Sequence, residues 1–399
     1  MRQGVQAYDQ SLVAIRPIDK GVCMQRSEFI HRVNSRCTNF LGSRRDDIAG
    51  VSPHAEPLMT SLAGLLSGGK KLRPALAWVG WHAAEGGEQD TAAVEHLGVA
   101  LELFQAAALI HDDVIDRSAT RRGRPSTHVQ FEALHEERSF SGSRSHFGTS
   151  GAILAGDLAL SWAAEAFSAA ESAVRDLIRT GHRPHDPGTL TALDAARRDF
   201  QLMHTQVIAG QYLDVLAEVS PPETSEAAAR KTARAVLRYK AAKYSTEYPI
   251  VIGAALAGAP QPLREQLGAA ALPIGEAFQL RDDILGVFGD PQTTGKPVGD
   301  DLREGKRTEL IACGIFRSTA ADAAELSAML GNEDLTTSDV DRAREILTEA
   351  GAVDEVESSI EDLVATSHRE TARLAQMGVL PEVLEEFGVV TTRLVQRTS

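Results

Sequence analysis

Three aspartates, Asp112, Asp113 and Asp116, end an apolar run, and a group of arginines follows directly in the segment LIHDDVIDRSATRRGRPSTH. On a helix, Asp112 and Asp116 lie on one face because they are four residues apart. Like charges at that spacing destabilise a helix, and the negative end of the helix dipole adds to the repulsion. The pattern therefore indicates a bound cation, although an isolated DDxxD also fits a solvated helix end.

A second acidic segment, GEAFQLRDDILGVFGD, repeats this design: an apolar helix runs into Asp282 and Asp283, and Asp290 follows. Two core helices that each end in paired aspartates can face each other across a cavity and build a metal site between them. Oxygen ligands without His or Cys favour Mg²⁺ or Mn²⁺. Because Mg²⁺ usually completes its shell with phosphate oxygens, the two clusters predict a diphosphate substrate bound through metal ions.

Basic residues stand beside glycine or proline breaks and at helix ends around these clusters. Arginine gives forked contacts to phosphate, and lysine gives a point charge. Each one alone is typical of a solvated surface, but as a set they predict a second anion site that needs no metal. The residues are Lys70, Lys71, Arg73, Arg121, Arg122, Lys243, Lys296 and Lys306.

The composition narrows the class of protein. The 399 residues are 43% hydrophobic and only 5% aromatic, with abundant alanine and leucine, which favours helices over strands. A net charge of -14 argues against nucleic-acid binding, which needs a basic face. Scattered cysteines, no apolar stretch of membrane-spanning length and no signal peptide predict a soluble cytoplasmic protein.

The pattern of apolar residues predicts helix after helix from residue 55 onward. We expect a single all-α domain over residues 51–399 and an N-terminal extension, partly helical, over residues 1–50. A long polar loop, GDPQTTGKPVGDDLREGKRT (289–308), interrupts the helices, and such loops are often lids or binding loops. The expected helices include 94–116, 191–219, 226–257, 263–288 and several over 319–397.

Seven motifs together resemble the trans-isoprenyl diphosphate synthases, or polyprenyl synthetases, over residues 55–390. They occur in the order found in that family: GGKKLRP, LIHDDVIDRSATRRGRPSTH, AGDLAL, GQYLD, YKAAKYS, FQLRDDILGVFGD and GKPVGDDLREGKRT. The resemblance implies an all-α, isoprenoid synthase-type helical bundle around a central cavity. It also implies three Mg²⁺ ions in each active site and a homodimer.

The resemblance assigns roles to individual residues. The metal ligands that hold an allylic diphosphate would be Asp112, Asp113, Asp116, Asp282 and Asp283. Contacts to that diphosphate would come from Arg121, Lys243 and Lys296, with Gln279 lining the site and Asp214 close to it. The diphosphate of isopentenyl diphosphate would be bound by Lys70, Arg73 and Arg122, and Gln105 and Lys306 complete the substrate-binding set.

The sequence departs from the family pattern at three places. Gly286 stands where many members have a third aspartate in the second acidic motif, and Asp290 is a candidate to compensate. Tyr244 replaces a common threonine, and Gln105 replaces a histidine that touches isopentenyl diphosphate in many members. These differences affect the roles of single residues more than the expected reaction.

Residues upstream of the first acidic motif limit product length in this family. Ala107 and Ala108 are small, whereas farnesyl-forming members often place an aromatic residue near there. Phe104 lies two turns deeper, about 12 Å from Asp112 at about 1.5 Å of rise per residue. We predict that Phe104 forms the floor of the pocket and that the product is geranylgeranyl diphosphate; the alternative is that Phe104 is ordinary core.

The expected activity is a Mg²⁺-dependent prenyltransferase that ionises an allylic diphosphate, condenses it with isopentenyl diphosphate and eliminates a proton. Farnesyl or longer products are alternatives within the same class. A class I terpene cyclase would ionise a prenyl diphosphate without condensing it and would lack the second-substrate motifs. A non-catalytic subunit of a heteromeric synthase would have eroded aspartates, and a helical cation-binding protein would leave the basic motifs unexplained.

Overall fold

Helices form nearly all of the regular structure in the computed structural model, which describes residues 20–84, 91–289 and 299–395. Within these ranges the strands are limited to a hairpin of β1 (Thr120–Arg121) and β2 (Arg124–Pro125). The predicted all-α class is confirmed. The helices are α1 (Lys20–Val51), α2 (Glu56–Leu66), α3 (Leu72–Ala83), α4 (Ala92–Ile115), α5 (Thr127–Glu137), α6 (Arg144–Arg179), α7 (Pro187–Val219), α8 (Glu226–Val236), a π-helical segment (Leu237–Glu247), α9 (Tyr248–Leu256), α10 (Gln261–Phe288), α11 (Asp300–Glu304), α12 (Glu309–Arg317), α13 (Ala320–Met329), α14 (Thr337–Glu349), α15 (Ala352–Gln376) and α16 (Pro381–Val395).

Helix α4 is the central element of the larger core. It is apolar on nearly all sides, as the sequence predicted, and α6 packs along it through small residues such as Ala155 and Ala159. Small side chains let two helices approach closely. Among the described residues, α4 is the one helix long and apolar enough to cross a membrane, and 78% of its most apolar window is buried inside the protein.

Helix α1 belongs to the same core, although residues 1–50 were expected to form an extension. Phe29 and Val33 are fully buried, and the Phe29 ring stacks on Trp78 of α3 at 4.5 Å between centroids. The expected helical content is found over residues 20–51, but the boundary at residue 50 does not separate this helix from the domain. Its apolar stripe went unnoticed because charged residues interrupt it in sequence.

The chain over residues 226–256 was expected to be one helix, and its middle third is π-helical. This segment packs directly on α7 because Gly210 has no side chain: a Cβ there would overlap the backbone nitrogen of Lys240. A π-helical turn widens the helix locally and is often found at functional sites. The contact brings Lys240 beside Asp214, one turn after Gly210 on α7.

The polar loop after α10 contains a short helix, α11, that the sequence did not predict. Gly299 and Gly305 flank it, and both have a left-handed backbone conformation, with φ of 73° and 79°. Leu302 is fully buried and fixes α11 to a second core built from α10, α12, α14 and α15. The described part of the loop is thereby held at the end of α10.

Candidate active site

A cavity of about 1820 Å³ lies between α4, α7, the π-helical segment and α10, and α11 covers one side of it. Most of the residues singled out in the sequence line this cavity. They are Lys70, Arg73, Phe104, Gln105, Ala108, Asp112, Arg121, Arg122, Asp214, Gln279, Asp282, Asp283 and Lys306. The two acidic motifs therefore meet at one cavity, as their positions on core helices predicted.

The first acidic cluster is completed by the β-hairpin that follows α4. Arg122 and Gly123 both have positive φ, 54° and 71°, which a two-residue hairpin turn requires. The turn returns Arg121 to the helix end, where its Nε donates to Asp113 Oδ1 at 2.8 Å and its Nη2 to Asp112 Oδ2 at 3.2 Å. The predicted pairing of basic and acidic residues is thus direct and local.

Lys240 is the main cation that a distant part of the chain brings to this cluster. Its Nζ lies 3.0 Å from Asp112 Oδ1 and 2.5 Å from Asp214 Oδ2. Burial alone would raise the pKa of Asp112, but the charges of Lys240, Lys306 and Arg121 outweigh it and hold that pKa well below its usual value. Asp112 is therefore ionised across the physiological range.

Lys243, which the sequence analysis placed at the diphosphate, does not line the cavity. Its Nζ pairs with Glu247 at 3.0 Å and lies 5.3 Å from the centroid of the Tyr248 ring. Lys243 and Lys240 are three residues apart and point to different neighbours, so the structure places Lys240 where Lys243 was expected. Gly210 on the preceding helix allows the close contact that brings Lys240 to Asp112. The sequence alone does not show which residue Gly210 meets.

The second acidic cluster lies at the carboxyl end of α10, where Asp282 and Asp283 line the cavity. Gln279 Nε2 donates to Asp283 Oδ1 at 3.1 Å. Burial raises the pKa of Asp283 well above its usual value, and the negative charge of Asp301 adds to this. Positive charge brought near this carboxyl group would favour its ionised form.

Lys306 contacts the first cluster and the carboxylates of α11. Its Nζ is 3.4 Å from Asp116 Oδ2 and 3.6 Å from Asp301 Oδ1, and it also pairs with Glu304. Burial would lower the pKa of Lys306, but the surrounding carboxylates raise it well above its usual value. The pKa of Asp116 is raised to about 6 by burial and by the charge of Asp112.

A second group of cations surrounds the glycine break between α2 and α3. The Arg122 guanidinium packs against Gly69, so that a Cβ there would lie 3.0 to 3.3 Å from its atoms. Arg73 Nη2 donates to Ser245 Oγ at 2.7 Å, and its guanidinium carbon lies 4.2 Å from the centroid of the Tyr244 ring. With Lys70, these side chains also line the cavity.

Lys71 was expected to bind an anion, but its side chain turns into the core. Its Nζ donates to Glu102 Oε2 and to the Leu66 carbonyl, both at 2.6 Å, and its φ is 50°. Glu102 is itself buried in α4. A buried acid needs a cationic partner, so an acidic residue inside the apolar α4 sequence was the feature that could have predicted this ion pair. The pair holds the glycine break against α4.

Phe104 lines the cavity, and its role as the floor stays a prediction. Its ring stacks on His204 of α7 at 4.3 Å between centroids, and burial lowers the pKa of His204 to about 4, so this imidazole is neutral. Ala108 also lines the cavity, but Ala107 does not: it is fully buried against other core side chains. Ala107 therefore does not shape the pocket directly. Two further expectations, on Asp290 and Lys296, lie outside the described residues.

Comparison with known proteins agrees with this arrangement. The model of the polyprenyl synthetase family matches residues 56–347. The chain belongs to the polyprenyl synthetase family. It is accordingly a prenyltransferase of the trans-isoprenyl diphosphate synthase type, and enzymes of this family bind diphosphates with divalent metal ions.

Relatives of this polyprenyl synthetase differ in product. A geranylfarnesyl diphosphate synthase from Aeropyrum pernix is 31% identical over 327 residues, which cover 80% of this chain and 85% of the relative. A (2E,6E)-farnesyl diphosphate synthase from Mycobacterium tuberculosis is 36% identical over 269 residues, covering 66% and 62%. The crystal structure of a geranylgeranyl pyrophosphate synthase from Corynebacterium glutamicum, complexed with isoprenyl diphosphate and magnesium, matches at 35% identity and a TM-score of 0.82, covering 93% and 99%.

Proposed function

We propose that this polyprenyl synthetase condenses an allylic diphosphate with isopentenyl diphosphate and that its main product is geranylgeranyl diphosphate. The observation that carries the proposal is that one cavity is lined by aspartates of both acidic motifs and by two groups of cations, Arg121, Lys240 and Lys306 in one and Lys70, Arg73 and Arg122 in the other. A substrate diphosphate at each group would bring the allylic carbon of one molecule to the double bond of the other. The apolar deep end of the cavity would receive the growing chain.

The acidic clusters fit divalent metal ions by the chemistry of their ligands. Asp112, Asp116, Asp282 and Asp283 would hold the ions, which we take to be three Mg²⁺, and bound Mg²⁺ would neutralise the diphosphate leaving group. Among the described residues, no three His, Cys, Asp or Glu side chains are already grouped as ligands around one point. Lys240 pairs with Asp112 and Lys306 with Asp116, so these acids also have cationic partners within the chain.

Fixed cations would assist the departure of the allylic diphosphate. Arg121 and Lys240 are held by Asp113 and Asp214, so both are positioned before substrate arrives. The allylic C–O bond would break, and its electron pair would leave with the diphosphate. Preorganised positive charge stabilises such a developing anion at little reorganisation cost.

The second cation group would hold isopentenyl diphosphate by charge alone. Arg73 and Arg122 offer forked donors, and Lys70 offers a point charge. Gln105 Oε1 is buried and receives no hydrogen bond, so this amide is available to a substrate. The double bond would attack the allylic cation, a C–C bond would form, and the adjacent C–H proton would pass to the released diphosphate.

Product length would be limited by the Phe104 ring and the neutral His204 behind it. Because His204 stacks on Phe104, the phenyl ring cannot rotate away without losing that contact. We predict that Phe104→Ala shifts the product towards chains longer than twenty carbons, read by chromatography of the dephosphorylated alcohols. Phe104→Leu is the matched control and should give a smaller shift, whereas an unchanged product distribution in Phe104→Ala would identify Phe104 as ordinary core.

A homodimer in the cytoplasm is the assembly and location we propose. The apolar side chains Ile208, Tyr212, Leu216 and Val219 on α7 are 41% to 78% exposed and lie on one helix face. Ile208 and Tyr212 also line the cavity, whereas Leu216 and Val219 extend the apolar face beyond it. A second copy of the chain is the occupant of this face that the family resemblance implies. Light scattering of the purified protein should give twice the chain mass.

The first experiment is product analysis with isopentenyl diphosphate, Mg²⁺ and, in separate reactions, dimethylallyl, geranyl or farnesyl diphosphate. We expect a twenty-carbon diphosphate that disappears when EDTA removes the metal. A fifteen- or twenty-five-carbon product would keep the reaction and overturn the product assignment. Folded protein that consumes no isopentenyl diphosphate with any starter would favour a terpene cyclase or a non-catalytic subunit.

A further inference from the structure

The two acidic clusters differ at one helical position. In the first, Asp116 lies four residues after Asp112, so both carboxylates share a face of α4. In the second, the residue four positions after Asp282 is Gly286, which has no side chain. On helix geometry alone, the second cluster lacks the carboxylate that completes the first.

The space beside Gly286 is filled by a carboxylate from another part of the chain. A Cβ built on Gly286 would overlap Oδ2 of Asp301, and Asp301 lines the same cavity as Asp282 and Asp283. The glycine therefore admits a carboxylate to the position that its own side chain would have taken.

Asp301 is fixed in this position by its own helix. The neighbouring Leu302 is fully buried, and Lys306 Nζ lies 3.6 Å from Asp301 Oδ1. Across the cavity, the side chain of Asp116 is only 3% exposed, and its Oδ2 receives no hydrogen bond, with Lys306 Nζ 3.4 Å away. One lysine thus stands between a buried, incompletely satisfied carboxylate of the first cluster and Asp301 of the second.

We propose that Asp301 is the third carboxylate of the second cluster and binds the metal ion that Asp282 and Asp283 hold against the allylic diphosphate. The inference rests on the proposed function, because it assumes that the second cluster binds metal. It assigns to Asp301 the compensating role for which the sequence offered Asp290. The third ligand comes from α11, eighteen or nineteen positions beyond the aspartates of α10.

Metal binding tests this assignment without requiring turnover. Mn²⁺ is titrated into the full-length protein with inorganic diphosphate present, and free Mn²⁺ is read by electron paramagnetic resonance. We expect Asp301→Ala to weaken Mn²⁺ binding by roughly 10- to 100-fold. Asp301→Asn, which keeps the side-chain shape, should also weaken it, and it serves as the test should the alanine variant unfold. Asp341→Ala removes a charge from an exposed site on α14 and should bind Mn²⁺ like the wild type.

A carboxylate swap makes the test specific to this position. Gly286→Asp alone should weaken Mn²⁺ binding, because the new side chain would overlap the Asp301 carboxylate. Gly286→Asp combined with Asp301→Ala should recover most of the affinity lost in Asp301→Ala, since the carboxylate then comes from α10. Circular dichroism melts identify any variant that is unfolded.

The outcomes separate the two proposals. Wild-type binding of Mn²⁺ with diphosphate, unchanged in both Asp301 variants, would overturn the role of Asp301 and leave the prenyltransferase function intact. A double variant that binds no better than Asp301→Ala would also overturn it, because position 286 would not be equivalent. Wild-type protein that neither binds Mn²⁺ nor consumes isopentenyl diphosphate would refute both.

Discussion

The first acidic cluster is built almost entirely from consecutive residues, whereas the second is assembled from two segments. Asp112, Asp113 and Arg121 lie within ten positions, and one helix end and one hairpin bring them together. As we propose it, the second cluster joins Asp283 of α10 to Asp301 of α11, and Lys306 Nζ lies 3.6 Å from Asp301 Oδ1. A site of the first kind follows from local spacing; a site of the second kind depends on where a loop packs.

The largest expected effect tests whether the first cluster is truly local. Lys240 is the cation that packing of α7 on the π-helical segment brings to Asp112 and Asp214. We expect Lys240→Met to lower kcat by about 100-fold, because a fixed charge at the leaving group is lost. Steady-state rates with radiolabelled isopentenyl diphosphate measure this.

Lys243→Met is the matched control, since Lys243 pairs with Glu247 outside the cavity. Its rate should stay close to that of the wild type. Equal losses in Lys240→Met and Lys243→Met would restore the role first assigned to Lys243. No loss in either would mean that the first cluster works with Arg121 alone.

A smaller effect, on the Mg²⁺ requirement, is expected when the packing of α11 beside the second cluster is weakened. Leu302→Ala removes a fully buried side chain beside Asp301 and should cost about 2–5 kcal/mol of stability, part of it as local opening of α11. We expect the Mg²⁺ concentration for half-maximal activity to rise by roughly tenfold, in line with losses of supporting contacts at metal sites. Activity is titrated against Mg²⁺ at a temperature where the variant is folded.

Leu310→Ala controls for the loss of stability. Leu310 is fully buried in the same core but belongs to α12, so its removal should destabilise the protein without changing the Mg²⁺ requirement. A similar rise in the Mg²⁺ requirement for both variants would show that general loosening, rather than the position of α11, governs the second cluster.

The smallest expected effect is on the pH dependence of stability, and it arises from Glu218 beside the first cluster. Burial and the charges of Asp214 and Asp116 raise the pKa of Glu218 to about 7. The folded chain then binds a proton that the unfolded chain releases between about pH 4.3 and pH 7, so stability falls as the pH rises through that window. We expect the Tm of metal-free wild type to fall more between pH 5.5 and pH 7.5 than that of Glu218→Gln, by about 1 °C after solvent screening.

Differential scanning calorimetry measures this difference, and Glu345→Gln, at an exposed position on α14, is the control. Parallel Tm profiles for wild type and Glu218→Gln would place the pH dependence elsewhere, with Asp116 as the next group to test.

Sequence reasoning succeeded where a helix fixes spacing. The helix over Val94–Asp116, its apolar surroundings and the position of its aspartates at one end were all predicted, and α4 has these properties. Phe104 lines the cavity, and its role as the floor stays a prediction. Ala107 does not line it, because one residue of difference turns a side chain by about 100° into the core.

The features that were missed depend on contacts between elements. Lys240 was passed over for Lys243 because only the approach of Gly210 decides which lysine reaches Asp112. Asp301 was hidden in a segment expected to be a loop, and Asp290 was the nearer candidate in sequence. Lys71 is a residue type that often binds anions, but its side chain turns inward because it pairs with the buried Glu102.

Lys240 and Lys306 mean that binding of a cation in the cavity would be an exchange of one positive charge for another. Lys240 pairs with Asp112 and Lys306 with Asp301, and both carboxylates line the cavity, so a divalent cation that binds them would displace an ammonium group. The displaced ammonium group of each lysine would stay in the cavity, close to the substrate diphosphate that binds with the cation. Loading the site would therefore change the partners of these lysines, and unloading it would return each lysine to the carboxylate it left.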